Sequence, residues 1–181
     1  MEPMIAQANH TVQANGIRQN YIDAGAGAPV VLLHGFPETN FAWRHQIPVL
    51  GELYRIIAPD LRGCGETDKP ASGYDKRTMA NDLAALLDTL GIQKVALVGH
   101  DRGARVATRF AKDFPDRVER LVVMDNVPIH SSAFALTERY GKDTFIAIRH
   151  LGAKRLPGLF ALKGRFDALV ARIPLAPRAC R

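Results

Sequence analysis

Cysteine is scarce in this sequence, and its two copies, Cys64 and Cys180, lie far apart and form no CxxC pair. No Cys and His residues share the spacing of a zinc site either, so the sequence predicts neither a disulfide framework nor a structural metal. We therefore expect two free thiols, no bound metal and no cofactor.

Long apolar runs are absent as well, since none reaches the roughly 18 residues that a membrane helix requires. The first segment, MEPMIAQANHTVQAN, lacks the basic start and the apolar core of a signal peptide. The sequence therefore predicts a cytoplasmic protein without a membrane partner.

Clustered charge is a third feature that the sequence lacks. The net charge is +6, yet residues 1–141 hold 15 basic against 16 acidic residues, whereas residues 142–181 hold 9 against 2. The excess is spread among Leu, Ala and Pro, without a run of like charges and without aromatic residues interleaved for base stacking. We expect no nucleic-acid partner, because phosphate binding requires a clustered basic face.

What the sequence does contain is an alternation of strand and helix patterns in a chain of 181 residues, a length that suits one domain. Asn15-Gly16 predicts a tight hairpin turn between two short strands. Four apolar runs follow that are typical of strands buried on both faces, namely Val30–Leu33, Tyr54–Ala58, Lys94–Val98 and Val118–Met124. Helices are predicted between them, at Trp43–Leu53, at Thr78–Leu90 before Gly91, and at Ala104–Phe114 before Pro115. This order indicates the α/β class, with a mostly parallel sheet and helices on both faces.

The strand pattern stops near residue 126, and residues 133–170 are predicted to form two or three short helices interrupted by Gly and Pro. We therefore divide the chain into a core, residues 1–128, and a helical region with a basic tail, residues 129–181. In this interpretation Val118–Met124 is an unpaired sheet edge. We expect self-association through that edge, because long hydrophobic edges pair with other chains.

The strongest chemical signal is Gly99-His100-Asp101-Arg102-Gly103, which joins the strand Lys94–Val98 to the next helix. A turn this tight needs glycine at both outer positions, and it holds the middle side chain out toward a substrate. Asp101 is therefore a candidate nucleophile. The alternative is that Asp101 only caps the helix N-terminus.

The segments VVLLHGFPETNFAWRHQIPVL, APDLRGCGETDKP, LVGHDRGARVATRFAKDFPDRV and LVVMD together resemble the α/β-hydrolase superfamily. Within it, they are similar to the branch with an aspartate nucleophile, the haloacid and haloalkane dehalogenases and the epoxide hydrolases. In that branch the aspartate attacks an sp3 carbon and forms an ester, which a histidine-activated water hydrolyses. A carboxylate suits this attack because its ordinary pKa of about 3.9 leaves it ionised at pH 7 without a base.

Arg102 and Arg105 bear on the substrate class. In the fluoroacetate dehalogenase group, the GHDRGxR pattern carries two arginines at these positions that bind the substrate carboxylate, whereas epoxide hydrolases more often have Trp at the first. Forked guanidinium donors match the two oxygens of a carboxylate. The alternative is a solvated surface ladder, in which Arg105, Arg109 and Asp113 recur every fourth residue.

Two further roles follow from the resemblance. Asp125 ends the fourth apolar run and is similar to the acid that orients the catalytic histidine of the family. The stretch His34-Gly35-Phe36-Pro37 resembles the HGxP turn, in which the backbone N–H of Phe36, with that of Arg102, faces the nucleophile and later the oxyanion of the ester intermediate.

The six histidines, at positions 10, 34, 45, 100, 130 and 150, include none at the position of the family's general base, well beyond the nucleophile. His150 lies in what resembles the start of the family's helical cap, where a His-Trp pair would help hold the halide, yet Leu151 follows it. We interpret His34, His45 and His100 as structural. The chain is thus expected to have an α/β-hydrolase fold without the last strands and most of the cap, as in a truncated product.

Three functions stay open. The first is a dehalogenase that acts on small haloacids through an aspartyl ester and is inactive or slow because the base is absent. The second is an epoxide hydrolase, which HGFPETNFAWRHQI favours and Arg102 disfavours. The third is a non-catalytic remnant that binds a small carboxylate or a partner chain.

Overall fold

The computed structural model describes residues 8–125 and 145–148, which form a seven-stranded sheet with the strand order β1-β2-β4-β3-β5-β6-β7. The strands are β1 (Ala8–Ala14), β2 (Ile17–Ala24), β3 (Pro29–Leu33), β4 (Arg55–Pro59), β5 (Val95–His100), β6 (Val118–Met124) and β7 (Phe145–Ile148). The α-helices are α1 (Gln46–Leu50), α2 (Lys76–Thr89) and α3 (Arg102–Asp113), and short 3-10 helices cover Asn40–Trp43 and Pro115–Arg117. None of the helices in the described ranges is long and apolar enough to cross a membrane.

The first two strands form the predicted hairpin. Asn15 and Gly16 both have positive φ, 52° and 74°, as the tightest hairpin turn requires. The register places Ala14 opposite Ile17, and β2 then pairs antiparallel with β4. The hairpin therefore extends the sheet on the side away from the later strands.

The remaining strands, from β4 through β3, β5 and β6 to β7, pair in parallel, which confirms the α/β class. Alternate residues of β3 project to opposite faces of the sheet, and both sets are buried, as a sheet covered by helices requires. Val31 and Leu33 join one hydrophobic cluster with residues of α2 and α3, whereas α1 contacts β4 outside that cluster.

The helix limits follow from local chemistry. Asp75 caps α2, since its carboxylate accepts from the N–H groups of Arg77 and Thr78 at 3.0 Å each, so that this helix begins at Lys76. The helix predicted over Trp43–Leu53 is shorter than expected. Because Pro48 has no N–H to donate, it fits only the first turn of α1, which ends at Leu50.

The prediction that the strands stop at β6 is wrong. Phe145–Ile148 forms β7 and pairs in parallel with β6, from Leu121 opposite Phe145 to Met124 opposite Ile148. A run of four apolar residues is too short for its periodicity to distinguish a helix from a strand, so the sequence alone places it within the helical region expected over residues 133–170. Val118–Met124 is therefore not an unpaired edge, and self-association stays a prediction without that premise. The predicted boundary at residue 128 and the remaining predicted helices of residues 133–170 lie outside the described residues.

Candidate active site

Asp101 occupies the turn between β5 and α3 in a backbone conformation that is rare for a residue with a side chain, at φ 44° and ψ −108°. Main-chain hydrogen bonds hold it there. Its N–H donates to the carbonyl of Met124 at 3.1 Å, and its carbonyl accepts from the N–H of Arg105 at 3.3 Å. The Asp101 carboxylate makes no capping hydrogen bond to α3, which removes the support for the alternative that it is only a helix cap. Backbone strain of this kind concentrates at functional sites.

The two outer glycines of the turn are required by close backbone contacts. A Cβ at Gly99 would lie 2.6 Å from the Cα of Ala104, and one at Gly103 would collide with the carbonyl oxygen of Leu33 and lie 2.6 Å from that of His34. Both obstacles are main-chain atoms that have no room to move. The sequence predicted this requirement from the motif alone.

The loop after β3 supplies a donor to the candidate nucleophile. The N–H of Phe36 donates to Oδ2 of Asp101 at 3.1 Å, where the notional Cβ of Gly35 would also meet Cβ of Asp101 at 3.0 Å. The Arg102 N–H, the second donor expected from the resemblance, makes no hydrogen bond to that carboxylate within the described residues. One backbone donor therefore faces the carboxylate in this geometry.

Arg102 and Arg105 both lack a carboxylate partner within residues 8–125. The guanidinium of Arg102 stacks over the ring of Phe36, 4.3 Å from its centroid, which leaves the N–H edge of the group for other ligands. Arg105 is exposed. The surface-ladder alternative holds for Arg109, which binds Asp113 at 2.7 Å, and it leaves Arg105 unpaired in the described structure.

Asp125 is exposed at the end of β6, also with a positive φ of 48°. Its Oδ2 lies 3.9 Å from Nε2 of His100, whose Nδ1 contacts Oε2 of Glu38 at 3.1 Å. Glu38 also accepts from the N–H of Gly35 at 2.8 Å, so that it joins the Phe36 loop to the His100 ring. The sequence indicates only a structural role for His100. The position of His100, next to Asp101 and at the carboxyl end of a parallel strand, is the sequence signal that indicates a place within the active site.

His34 is fully buried and structural, in agreement with the sequence. Its Nε2 accepts from the N–H of Leu61 at 2.9 Å, so Nδ1 carries the proton and faces the carbonyl of Gly35 at 2.7 Å. Burial lowers the pKa of His34, and this effect outweighs the opposite influence of the Gly35 hydrogen bond. The neutral ring thus joins the loops that follow β3 and β4.

The expectations from the sequence also include a halide-binding histidine and free thiols. His150, predicted near the halide, lies outside the described residues. Cys64 is a free, half-buried thiol, and burial raises its pKa. In the described ranges, no group of three or more His, Cys, Asp or Glu side chains has the arrangement of a metal site.

Comparison with known proteins agrees with this geometry. Residues 28–147 match the family described as alpha/beta hydrolase fold. A soluble epoxide hydrolase from Corynebacterium sp. (strain C12) is 50% identical over 120 residues, which cover 66% of this chain and 42% of that protein. A fluoroacetate dehalogenase from Burkholderia sp. is 39% identical over 124 residues, covering 66% of this chain and 41% of its own. The solved structure of epoxide hydrolase CorEH without ligand superposes with a TM-score of 0.66 at 43% identity, over 74% of this chain and 50% of that one.

The chain thus spans less than half the length of these two curated relatives. The resemblance found in the sequence and the predicted fold are confirmed, and both enzyme activities that the resemblance implied occur among the relatives. This protein belongs to the α/β hydrolase fold family.

Proposed function

We propose that Asp101 is the nucleophile of a hydrolase that displaces halide from small haloacids and forms an aspartyl ester. The observation that carries this proposal is the Phe36 N–H at 3.1 Å from the Asp101 carboxylate. The turn leads directly into α3, which carries Arg102 and Arg105, and neither of these has a carboxylate partner in the described residues. A haloacid matches this arrangement because its carboxylate suits the arginines while its halogen-bearing carbon lies one bond away.

The first step needs no proton transfer. One oxygen of the Asp101 carboxylate forms a bond to the carbon that carries the halogen, and the carbon–halogen bond breaks with its electron pair on the departing halide. Arg102 and Arg105 would orient the substrate through its carboxylate, so that the carbon approaches in line with Asp101. The proposal assigns the halide to no residue of the described chain.

The second step requires water to attack the ester carbonyl of Asp101, which releases a 2-hydroxy acid and restores the carboxylate. The Phe36 N–H would stabilise the oxyanion that forms. A base must take the proton of the water, and Asp125 would orient that base. We expect this step to be slow, because His34 is buried with both ring nitrogens engaged and His100 Nδ1 is held by Glu38.

Epoxide hydrolysis is the second candidate, favoured by the 50% identity to a soluble epoxide hydrolase. It begins with the same attack by Asp101 on carbon, but the epoxide C–O bond breaks and its oxygen must then receive a proton. A neutral epoxide makes no use of the charge on Arg102. Substrate charge therefore distinguishes the two candidates.

Mass spectrometry tests the proposal directly. After exposure to bromoacetate, we expect one adduct on the peptide that carries Asp101, absent from an Asp101→Asn variant, and no comparable adduct from styrene oxide. A Cys64→Ser/Cys180→Ser variant serves as the control that removes thiol alkylation. Adducts confined to the two cysteines would contradict the nucleophile assignment, and an Asp101 adduct from styrene oxide alone would favour the epoxide hydrolase.

Release of the adduct reports the second step. We expect the Asp101 ester to persist equally in the wild-type chain and in a His100→Gln variant. Faster loss in the wild type would identify His100 as the base. The small-molecule substrate, the lack of a nucleic-acid partner and the cytoplasmic location expected from the sequence belong to this proposal.

A further inference from the structure

The N-terminus of α2 lies at the same edge of the sheet as Asp101. Because β4, β3 and β5 are parallel, the helices that return from their carboxyl ends both begin at that edge. α2 starts with Lys76, α3 starts with Arg102, and the two helices pack against each other. The topology therefore brings Lys76 to the region of the candidate nucleophile.

Lys76 has no carboxylate partner within the described residues. Its Nζ lies 3.9 Å from the sulfur of Met79, and its side chain is half-buried. The acids around it are occupied: Asp75 accepts from two backbone N–H groups and from the Thr78 hydroxyl, and Asp82 binds Arg62. The ammonium group thus forms no ion pair with a carboxylate of the described residues, and Asp75 and Asp101 act on it only at longer range.

Three cations of this edge take part in none of the ion pairs among the described residues. Five arginines elsewhere in the described structure each contact an aspartate, namely Arg18, Arg55, Arg62, Arg109 and Arg117. Arg102, Arg105 and Lys76 meet no carboxylate in those ion pairs, and neither do Arg44, Lys69, Arg77 and Lys94, so the lack of a partner does not by itself mark a site. Arg102, Arg105 and Lys76 differ in that the packing of α2 against α3 brings them to one edge, where both arginines act on Lys76, and a cluster of cations of this kind attracts an external anion.

The electrostatics of Lys76 agree with this placement. Burial lowers its pKa, and the charges of Arg102 and Arg105 lower it further, against the opposite influence of Asp75 and Asp101. Lys76 therefore experiences both arginines and the nucleophile, and an anion bound among these cations would relieve their mutual repulsion.

We propose that Lys76 is a substrate-binding residue that acts with Arg102 and Arg105 to attract and hold the carboxylate of an anionic substrate beside Asp101. This inference rests on the proposed function, whose nucleophile it serves. It assigns selectivity for anionic over neutral alkylating substrates to three side chains on two helices.

The test compares two reagents of similar size and different charge, bromoacetate and bromoacetamide, in the full 181-residue chain with both cysteines replaced by serine. The measured quantity is the rate constant for alkylation of Asp101. A Lys76→Met substitution should lower the bromoacetate rate constant by about 3- to 10-fold at low salt and leave that of bromoacetamide unchanged. Lys76→Arg should retain most of the preference, and added salt should reduce it.

Lys94→Met is the matched control. Lys94 is exposed just before β5, at the opposite edge of the sheet, so this variant makes the same change of net charge far from Asp101. We expect it to leave both rate constants unchanged. The proposal is overturned if Lys76→Met has no effect, if it slows both reagents equally, or if Lys94→Met slows bromoacetate by the same factor.

A second measurement keeps the two proposals separable. If neither reagent alkylates Asp101 in the wild type, the proposed function fails, and titration with acetate, followed through the backbone amide signals of Phe36 and Arg102, decides the role of Lys76. Acetate binding that weakens about 3- to 10-fold in Lys76→Met and not in Lys94→Met would uphold the anion site. Equal binding in all three proteins, or none, would overturn it.

Discussion

Two arginine–aspartate pairs in this fold have the same chemistry and very different burial, and their removal should have very different effects. Arg62 binds Asp82 through two hydrogen bonds of 2.7 Å, with 7% of each side chain exposed. Arg55 binds Asp23 at 3.1 and 2.6 Å, with 33% and 21% exposed. We predict that Asp82→Asn is far more destabilising than Asp23→Asn.

The magnitude follows from what each substitution leaves behind. Asp82→Asn leaves the Arg62 cation in a buried place without a counter-charge, which costs about 3 to 5 kcal/mol. Asp23→Asn leaves Arg55 with access to water, which costs about 0 to 1 kcal/mol. Against a total stability of about 5 to 15 kcal/mol, only the first change approaches unfolding of the domain.

Urea unfolding measures both variants. With a slope of about 1 to 3 kcal/mol per molar urea, Asp82→Asn should lower the urea midpoint by about 1 M or more. Asp23→Asn should lower the midpoint by only about a few tenths of 1 M. The double variant Arg62→Met/Asp82→Leu should recover most of the loss, because no buried charge remains.

Equal midpoints for the two Asn variants would refute this reasoning. So would a double variant as unstable as Asp82→Asn alone, since the loss would then come from packing and not from an unpaired charge. The Asp82 carboxylate also accepts a hydrogen bond from Asn15 at 2.6 Å, in the turn of the β1–β2 hairpin. The double variant therefore separates the cost of an unpaired Arg62 from the cost of losing this contact.

Two further predictions concern the loop after β3. Lowering the pH from 7.5 to 5.5 should reduce the free energy of unfolding, because burial holds the pKa of His34 below its unfolded value, so that the unfolded chain binds a proton that the folded chain does not. Urea titrations at both pH values should show a smaller pH effect on stability in His34→Gln. An equal pH effect in the two proteins would contradict this role of His34. Gly35→Ala should abolish alkylation of Asp101 and leave the circular dichroism spectrum unchanged, because the new Cβ would lie 2.9 Å from Nδ1 of His100 and 3.0 Å from Cβ of Asp101. Alkylation at the wild-type rate would show that the loop after β3 adjusts to the added methyl group.

Local sequence signals predicted much of the fold. Asn15-Gly16 predicts the hairpin through the positive φ that this turn needs, and Gly99 and Gly103 mark a turn that the motif alone identifies. The apolar runs of β3 to β6 lie between turn residues and alternate with helical patterns, and this order identified them as strands buried on both faces. In each case the signal that allowed the prediction is a short stretch of sequence.

What the sequence did not predict depends on distant partners. The Glu38–His100 contact joins residues 62 positions apart, and it exists only because β3 and β5 are neighbours in the sheet. β7 has four residues, and its strand identity comes from pairing with β6 and not from its own pattern. Lys76 likewise resembles any lysine in the first turn of a helix until the packing of α2 against α3 is known.

The hydrogen bonds that hold Asp101 in its turn have a consequence for how the chemistry of this scaffold could change. They involve its backbone N–H and carbonyl, and the close contacts involve Gly99 and Gly103, so the carboxylate contributes nothing to that framework. The backbone of the turn would therefore place another short polar side chain at position 101 in the same position as the Asp101 carboxylate. A single codon change at this position would exchange alkyl-ester chemistry for acyl transfer without refolding the domain, and the demand for a base to activate the new hydroxyl would become the remaining barrier.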